Sequence, residues 1–399
     1  MTLHAAAGQT CRVLAIDGGG IRGMIPATIL AEIERRIGMP IAKAFHLVSG
    51  TSTGGILASG LAYEVSTSKL LDFYNKDGSA IFNASFYSGI ENPKYMPDSL
   101  EAALKEVFED AQLSDLPHDL ICTTYDLQAR QGMLFKSWQA RGIEQPNPAS
   151  SDFLVRQVCR ATSAAPTYFP PAQIGAADGK IYGCIDGGMY ANNPALVAFV
   201  AARRLMPLAK RFLVLSIGTG EALNPIKYDD AKSWGLIGWG PQLIDVIFDA
   251  MGSIVEYELN QLDFVSQVRL QSSLQGANAA LDDASASNMQ NLANCAKRTM
   301  TERATDLDAI IEELKVPLPD RTILGYPVAL GTVRPPKIQD FHTAQIKVAA
   351  ATAAASTGPV TPWRVGGAAA GAIAGAAVAG PVGAAIGGVV GYLGGSLKG

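Results

Sequence analysis

Two short glycine-framed segments hold the residues best suited to chemistry. Gly50-Thr51-Ser52-Thr53-Gly54-Gly55 has the G-x-S-x-G spacing of a nucleophilic serine on a sharp strand-to-helix turn. Gly50 and Gly54 permit the strained backbone and close helix packing that expose the hydroxyl, and the small residues Ala58, Ser59 and Gly60 continue along the helix. Asp186-Gly187-Gly188 closes a second apolar run, a carboxylate at a strand end with two glycines that permit close approach. Serine must lose a proton as it attacks, so a base has to stand within hydrogen-bond reach. The chain has only four histidines. His4 lies in an N-terminal tip, His46 in the strand before the turn with its ring directed away, His118 in a polar loop and His342 in a proline-rich stretch. Asp186 is the better candidate, which points to a Ser52–Asp186 dyad. Because aspartate is a weak base, such a dyad leans on oxyanion stabilisation and positioning.

A third segment, Asp17-Gly18-Gly19-Gly20-Ile21-Arg22-Gly23, matches the G-x-G-x-x-G dinucleotide fingerprint. That fold wants an acidic residue at the end of its second strand, whereas here the second strand ends in Ser49-Gly50 and runs into the serine turn. The segment therefore reads as an oxyanion hole. Gly18, Gly19 and Gly20 supply amides unobstructed by side chains, Arg22 adds positive charge and Asp17 anchors the loop.

The elements that must position these residues alternate between strand and helix, which argues an α/β fold. Arg12 to Ile16 reads as a buried first strand. A helix follows with Ile25, Ile29, Leu30, Ile33 and Ile37 on one face, Pro26 in its first turn and Gly38 as its stop. Further strands are expected at Phe45–Val48, Leu120–Thr124, Met133–Trp138, Lys180–Ile185 and Phe212–Ile217, and a helix at Phe153–Ala161 leads into a rigid Ala165–Pro171 loop. Trp234 to Leu262, with Trp239, Leu243, Ile244, Ile247, Phe248 and Met251, reads either as a core helix or as a cap over the active site that touches lipid.

Bulk properties narrow the function classes. A net charge of −4 over 399 residues gives no reason to expect a nucleic-acid polymer as substrate. Five cysteines without C-x-x-C spacing read as small buried apolar residues in a reducing cytosol. Met1 to Thr10 has neither a basic nor an apolar signal region. The expected organisation is a flexible N-terminus (1–10), a catalytic domain (11–315), a Pro-rich linker extension (316–364) and an apolar tail (365–399). In the tail, Gly367, Gly371, Gly375, Ala379, Gly383, Gly387, Gly391 and Gly395 recur every fourth residue with no charge between Val365 and Leu397. That pattern places small residues on one helix face, as in close helix–helix contacts within membranes. A straight helix of this length would run ~50 Å against a ~30 Å hydrocarbon core, so a hairpin at Gly380-Pro381 or a tilted, kinked span is expected. The competing reading is an inert Gly/Ala tail, since glycine costs ~1 kcal/mol per helical position in water.

The three motifs, in this order, resemble the patatin-like phospholipases. Ala161-Thr162-Ser163-Ala164-Ala165-Pro166-Thr167-Tyr168-Phe169, Asn192-Asn193-Pro194 and Ser216-Ile217-Gly218-Thr219-Gly220 agree as well, so the resemblance covers roughly residues 11 to 315. It implies a three-layer fold with a mostly parallel sheet between helices. It also implies a lipid acyl hydrolase without cofactor or metal, with Ser52 as nucleophile, Asp186 as base and Gly18, Gly19, Gly20 and Arg22 at the oxyanion. Size and the Trp234–Leu262 segment resemble bacterial members, some of them antiphage effectors switched on by a cyclic nucleotide to degrade the cell's own membrane. The expectation is a cytosolic phospholipase, gated by a ligand or by assembly, acting on phospholipids at the inner face of the cell membrane and self-associating through its tail. A non-phospholipid esterase or transacylase, and a pore former acting through the tail, are the alternatives.

Overall fold

The computed structural model describes residues 9–82, 92–222 and 225–327. The expected readings of His4, His342 and the glycine-periodic tail lie outside these residues. Eight strands form one sheet: β1 (Thr10–Ile16), β2 (Leu47–Gly50), β3 (Leu120–Asp126), β4 (Gln131–Lys136), β5 (Ala172–Gly175), β6 (Ile181–Asp186), β7 (Arg211–Ile217) and β8 (Val265–Leu270). The order is β5-β6-β3-β2-β1-β7-β8, with β4 paired to β3. The β3-β2-β1-β7-β8 stretch is parallel, and the β4, β5 and β6 pairings are antiparallel. The sheet is thus mostly parallel at its centre, with helices on both faces.

Side-chain alternation explains the two helical layers. Along β1, Leu14 and Ile16 enter one apolar cluster while Cys11, Val13 and Ala15 enter the other; β7 divides likewise between Leu213, Leu215, Ile217 and Phe212, Val214. Central parallel strands are buried on both faces and so read as continuous apolar runs. The first helix (Met24–Ile37) packs its Ile25, Ile29, Leu30 and Ile33 face on one side, and Gly38 at φ 73° ends it in the left-handed conformation that glycine tolerates. The helix Ala195–Leu205 covers the other face with Ala198, Phe199 and Ala202.

Several elements depart from the sequence reading. Ile41–Ala44 is a tight helical turn, so β2 begins at Leu47 rather than Phe45. The Met133–Trp138 run is β4 followed by a helical turn at Ser137–Ala140, with Trp138 buried. β5 and β8 were not foreseen: β5 spans only four residues, and β8 carries Ser266, Gln267 and Arg269 among its apolar positions. Residues 316–327 stay packed on the domain. Leu324 is fully buried, and Arg321 bonds both Asp119 and the His46 carbonyl. All five cysteines are buried and free.

One buried ion pair ties this late segment to the central strand. Arg12 on β1 is completely buried and donates to Glu313 Oε1 at 3.3 Å and to the Val316 carbonyl at 2.8 Å. Arg12→Ala leaves Glu313 buried without its cation, which should cost about 3–5 kcal/mol. The expected outcome is a lower urea midpoint, with part of the loss recovered in an Arg12→Met/Glu313→Leu double variant.

Candidate active site

The site forms where the carboxyl ends of the parallel strands meet β6. β1 delivers Asp17, β2 delivers Ser52 and β7 delivers Thr219. Register brings the fourth partner to the same level, since Gly50 is opposite Cys122 and Thr124 is opposite Asp186. Open α/β sheets bind ligands at this end of their strands.

Ser52 sits at φ 55°, ψ −125°, a conformation few non-glycine residues adopt, directly before the elbow helix Thr53–Ala62. The elbow closes because two side chains are missing. A Cβ on Gly50 would lie 2.0 Å from the Gly54 carbonyl oxygen, and one on Gly54 would lie 2.2 Å from that of Ile16. Thr162 then holds the nucleophile's backbone, its Oγ1 accepting the Ser52 N–H at 2.8 Å.

Asp186 is buried beside Ser52, with the serine hydroxyl as a hydrogen-bond partner. Its Oδ1 accepts the Gly188 N–H at 2.7 Å. Burial pushes the carboxyl up to about 7, and the bonds from Ser52 and Gly188 pull in the other direction. A carboxyl poised there is a far better proton acceptor near neutrality than an exposed aspartate. Gly187 and Gly188 are glycine because a Cβ would meet Thr123 Oγ1 at 2.1 Å in the first and Asp186 Oδ1 at 3.0 Å in the second. The same loop steadies the base, as the Ala164 carbonyl accepts the Asp186 N–H and the Thr162 carbonyl that of Gly187.

The Asp17–Gly23 loop is clamped from several sides. Asp17 pairs with Arg269 at 2.6 Å, and Arg269 also donates to Ser216 Oγ. Burial pushes the Asp17 carboxyl up against the pull of that guanidinium. The Gly18 carbonyl accepts Thr219 Oγ1 at 2.6 Å, and the Ile21 N–H bonds the Leu281 carbonyl at 2.8 Å. Leu281 is followed by Asp282, which binds Lys94 and Tyr95, so the loop is strapped to the aromatic wall of the substrate cavity.

Two expectations for this loop need correction. The Gly18 amide donates to the Asn192 carbonyl at 3.1 Å, so Gly19 and Gly20 are the loop glycines that line the cavity with Ser52. Arg22 does not join them. It lines a separate polar cavity with Asp17, Asn192 and Asp249. Burial lowers the pKa of its guanidinium, and the carboxylates of Asp245 and Asp249 on the long helix act against that shift.

The two described histidines, His46 and His118, stand apart from Ser52 and Asp186. His46 Nδ1 accepts the Arg12 N–H, its Nε2 meets the Pro319 carbonyl, and burial pushes its pKa down to about 4. His118 pairs with Glu64. Among the described residues no group of His, Cys, Asp and Glu has the makeup of a metal site.

Ser52 and Asp186 open onto an apolar cavity. Phe73, Tyr74, Ile81, Phe82, Leu100 and Phe169 make its walls apolar, and Ile244 and Phe248 of the long helix Leu236–Asn260 close one side. Tyr74 also fixes the elbow, its hydroxyl 2.6 Å from Thr53 Oγ1. A reactive hydroxyl at the edge of an apolar cavity suits an ester of a long acyl chain.

An α/β sheet with a strained serine elbow, a buried carboxylate and an apolar acyl cavity defines a lipid acyl hydrolase. The chain belongs to the patatin-like phospholipase family, whose sequence model matches residues 14–199. It is 30% identical to Patatin-like protein 1 of Oryza sativa subsp. indica over 75% of this chain and 84% of that protein. It is 28% identical to Patatin-like protein 1 of Arabidopsis thaliana, with the same coverage. It is also 32% identical to a cGAMP-activated phospholipase of Pseudomonas aeruginosa, over 63% of this chain and 75% of that one.

Sequence motifs contained Thr162, Asn192 and Thr219 without revealing their tasks. Arg269, Leu281 and Asp282 carried no motif at all. The clamp gives a direct test. A methyl on Gly19 would lie 2.2 Å from Thr219 Oγ1 and 2.5 Å from its Cβ. Gly19→Ala should therefore displace the loop and lower kcat on a soluble ester by ~10²–10³-fold, the usual cost of losing an oxyanion donor, while circular dichroism stays unchanged.

Proposed function

We propose that the protein is a Ser–Asp phospholipase that releases fatty acid from membrane phospholipids and is switched on by a cyclic nucleotide. The observation that carries the hydrolytic part is Ser52 held at φ 55° against the buried Asp186 at the mouth of an apolar cavity. Ser52 Oγ attacks the ester carbonyl while Asp186 takes its proton. The Gly19 and Gly20 amides face the oxygen that gains charge. The tetrahedral intermediate collapses, Asp186 returns the proton to the leaving lysophospholipid alcohol, and an acyl-Ser52 ester remains. Water, deprotonated by Asp186, attacks this ester. Fatty acid leaves, and the proton returns to Ser52.

In this reading the cavity holds the acyl chain, and the enzyme works from the cytoplasm on the inner face of the cell membrane as an antiphage effector. The glycine-periodic tail serves membrane contact or self-association. Among the described residues no helix is long and apolar enough to cross a membrane.

Ser52→Ala and Asp186→Asn should each reduce fatty-acid release from phospholipid vesicles by at least ~10³-fold. Asp186 accepts a proton only as the carboxylate. Below its pKa of about 7, kcat/KM on a soluble ester should rise with pH, about tenfold per unit, and level off above it. A profile that is flat between pH 5 and 8 would remove Asp186 from the role of base.

The Pseudomonas relative's name supports the switch. Cyclic GMP–AMP should raise fatty-acid release from vesicles by the purified full-length chain at least tenfold. No response to a panel of cyclic di- and mononucleotides would overturn ligand gating and leave the hydrolytic reading intact.

A further inference from the structure

The helix Leu236–Asn260 is apolar on two opposite faces, which a helix serving only as a lid over a cavity does not require. Its inner face carries Ile244 and Phe248 into the substrate cavity, and Leu259, fully buried, packs on the core beside Val255. Phe248 rests on the backbone next to the base, so close that a Cβ on Gly188 would lie 3.0 Å from its ring. Its outer face carries Trp239, Leu243, Ile254 and Tyr257, which are 37%, 49%, 50% and 62% exposed. These four recur at three-, four- and eleven-residue steps, and on a helix that spacing sets them in a single row. The acidic residues Asp245, Asp249 and Glu256 fall off this row, and Asp249 and Glu256 line the polar cavity that also holds Arg22.

We infer that this outer row is the surface that docks on the lipid bilayer, and that one helix thereby joins bilayer contact to substrate entry. The inference rests on the phospholipase reading above. Three observations select lipid as the occupant. The row lies on the same helix as Ile244 and Phe248, which line the cavity that must receive the acyl chain. Its composition is that of a helix lying in the membrane interface, with aromatic Trp239 and Tyr257 at the two ends and aliphatic Leu243 and Ile254 between them. Asp245, Asp249 and Glu256 stand off this row, and the four side chains it presents are free of charge. A phospholipid drawn from beneath the row meets Ile244 and Phe248 on its way to Ser52, so its chains need not cross open water.

The test uses the full-length chain, the double variant Leu243→Asp/Ile254→Asp and a milder Leu243→Ser/Ile254→Ser. All four positions touch neither Ser52 nor the cavity wall, so hydrolysis of a short-chain soluble ester should stay within twofold of the parent. Fatty-acid release from phosphatidylcholine vesicles should fall at least tenfold in the Asp variant and by an intermediate factor in the Ser variant. Adding anionic lipid to the vesicles should give the parent no gain. Equal vesicle and soluble-ester rates in all three proteins would overturn the assignment. So would conversion of an oligomer to a monomer by the Asp variant with vesicle hydrolysis unchanged, which would make the row a contact between copies of the chain. Loss of soluble-ester hydrolysis in Ser52→Ala is the independent control: should it fail, the catalytic reading falls while the docking comparison still stands.

Discussion

Everything at the site depends on backbone segments coming closer than side chains allow. The elbow brings Gly54 against the end of β1, and Gly50 against Gly54 itself, at separations where a Cβ would sit about 2 Å from a carbonyl oxygen. The same intimacy recurs where Gly18 faces Asn192 and where Gly187 faces Thr123. The consequence is electrostatic. At these close approaches peptide groups come near the Ser52 turn with no side chain between them. Such preorganised dipoles stabilise developing charge without reorganising.

Close packing would be fragile without lateral support, and the support is distributed through the chain. Thr162 holds the Ser52 N–H with its side chain and the amide of Gly187 with its carbonyl, so one residue ties the Ser52 turn to the end of the Asp186 strand. Asp17 and Arg269 form a buried pair below the glycine loop, and Arg269 reaches Ser216 on β7 as well. Leu281 and Asp282 connect the loop to Tyr95, whose ring packs with Phe82, Tyr168 and Phe169 along the acyl cavity. The glycine loop and the cavity wall are therefore joined through residues far apart in sequence.

Much of this was legible in the sequence where backbone geometry dictates residue type. Only glycine fits Gly50, Gly54 and Gly187, and the apolar runs of β1 and β7 are the signature of strands buried on both faces. The helix stop at Gly38 follows from its left-handed conformation. Roles that depend on pairing across the chain were not legible. Arg22 carries a charge next to the glycine loop in sequence, yet the carboxylates that offset its burial, Asp245 and Asp249, come more than two hundred residues later. The Gly18 amide could be assigned only once Asn192 was seen to occupy it. β8 was missed because Arg269, the partner of Asp17, interrupts its apolar pattern. The Trp234–Leu262 segment supported two readings because its inner and outer faces are both apolar, and only its placement against the cavity separates them.

Phe248 lies against Gly188, two residues from Asp186, so the long helix helps to keep this carboxyl dry. Asp186 owes its raised pKa chiefly to exclusion of water, and its ordinary value would be 3.8. Under the proposed mechanism, water reaching the carboxyl would return it toward that value and leave a poor proton acceptor for Ser52. An acyl chain that fills the cavity beneath the helix keeps that water out, so the substrate itself helps to hold the base ready.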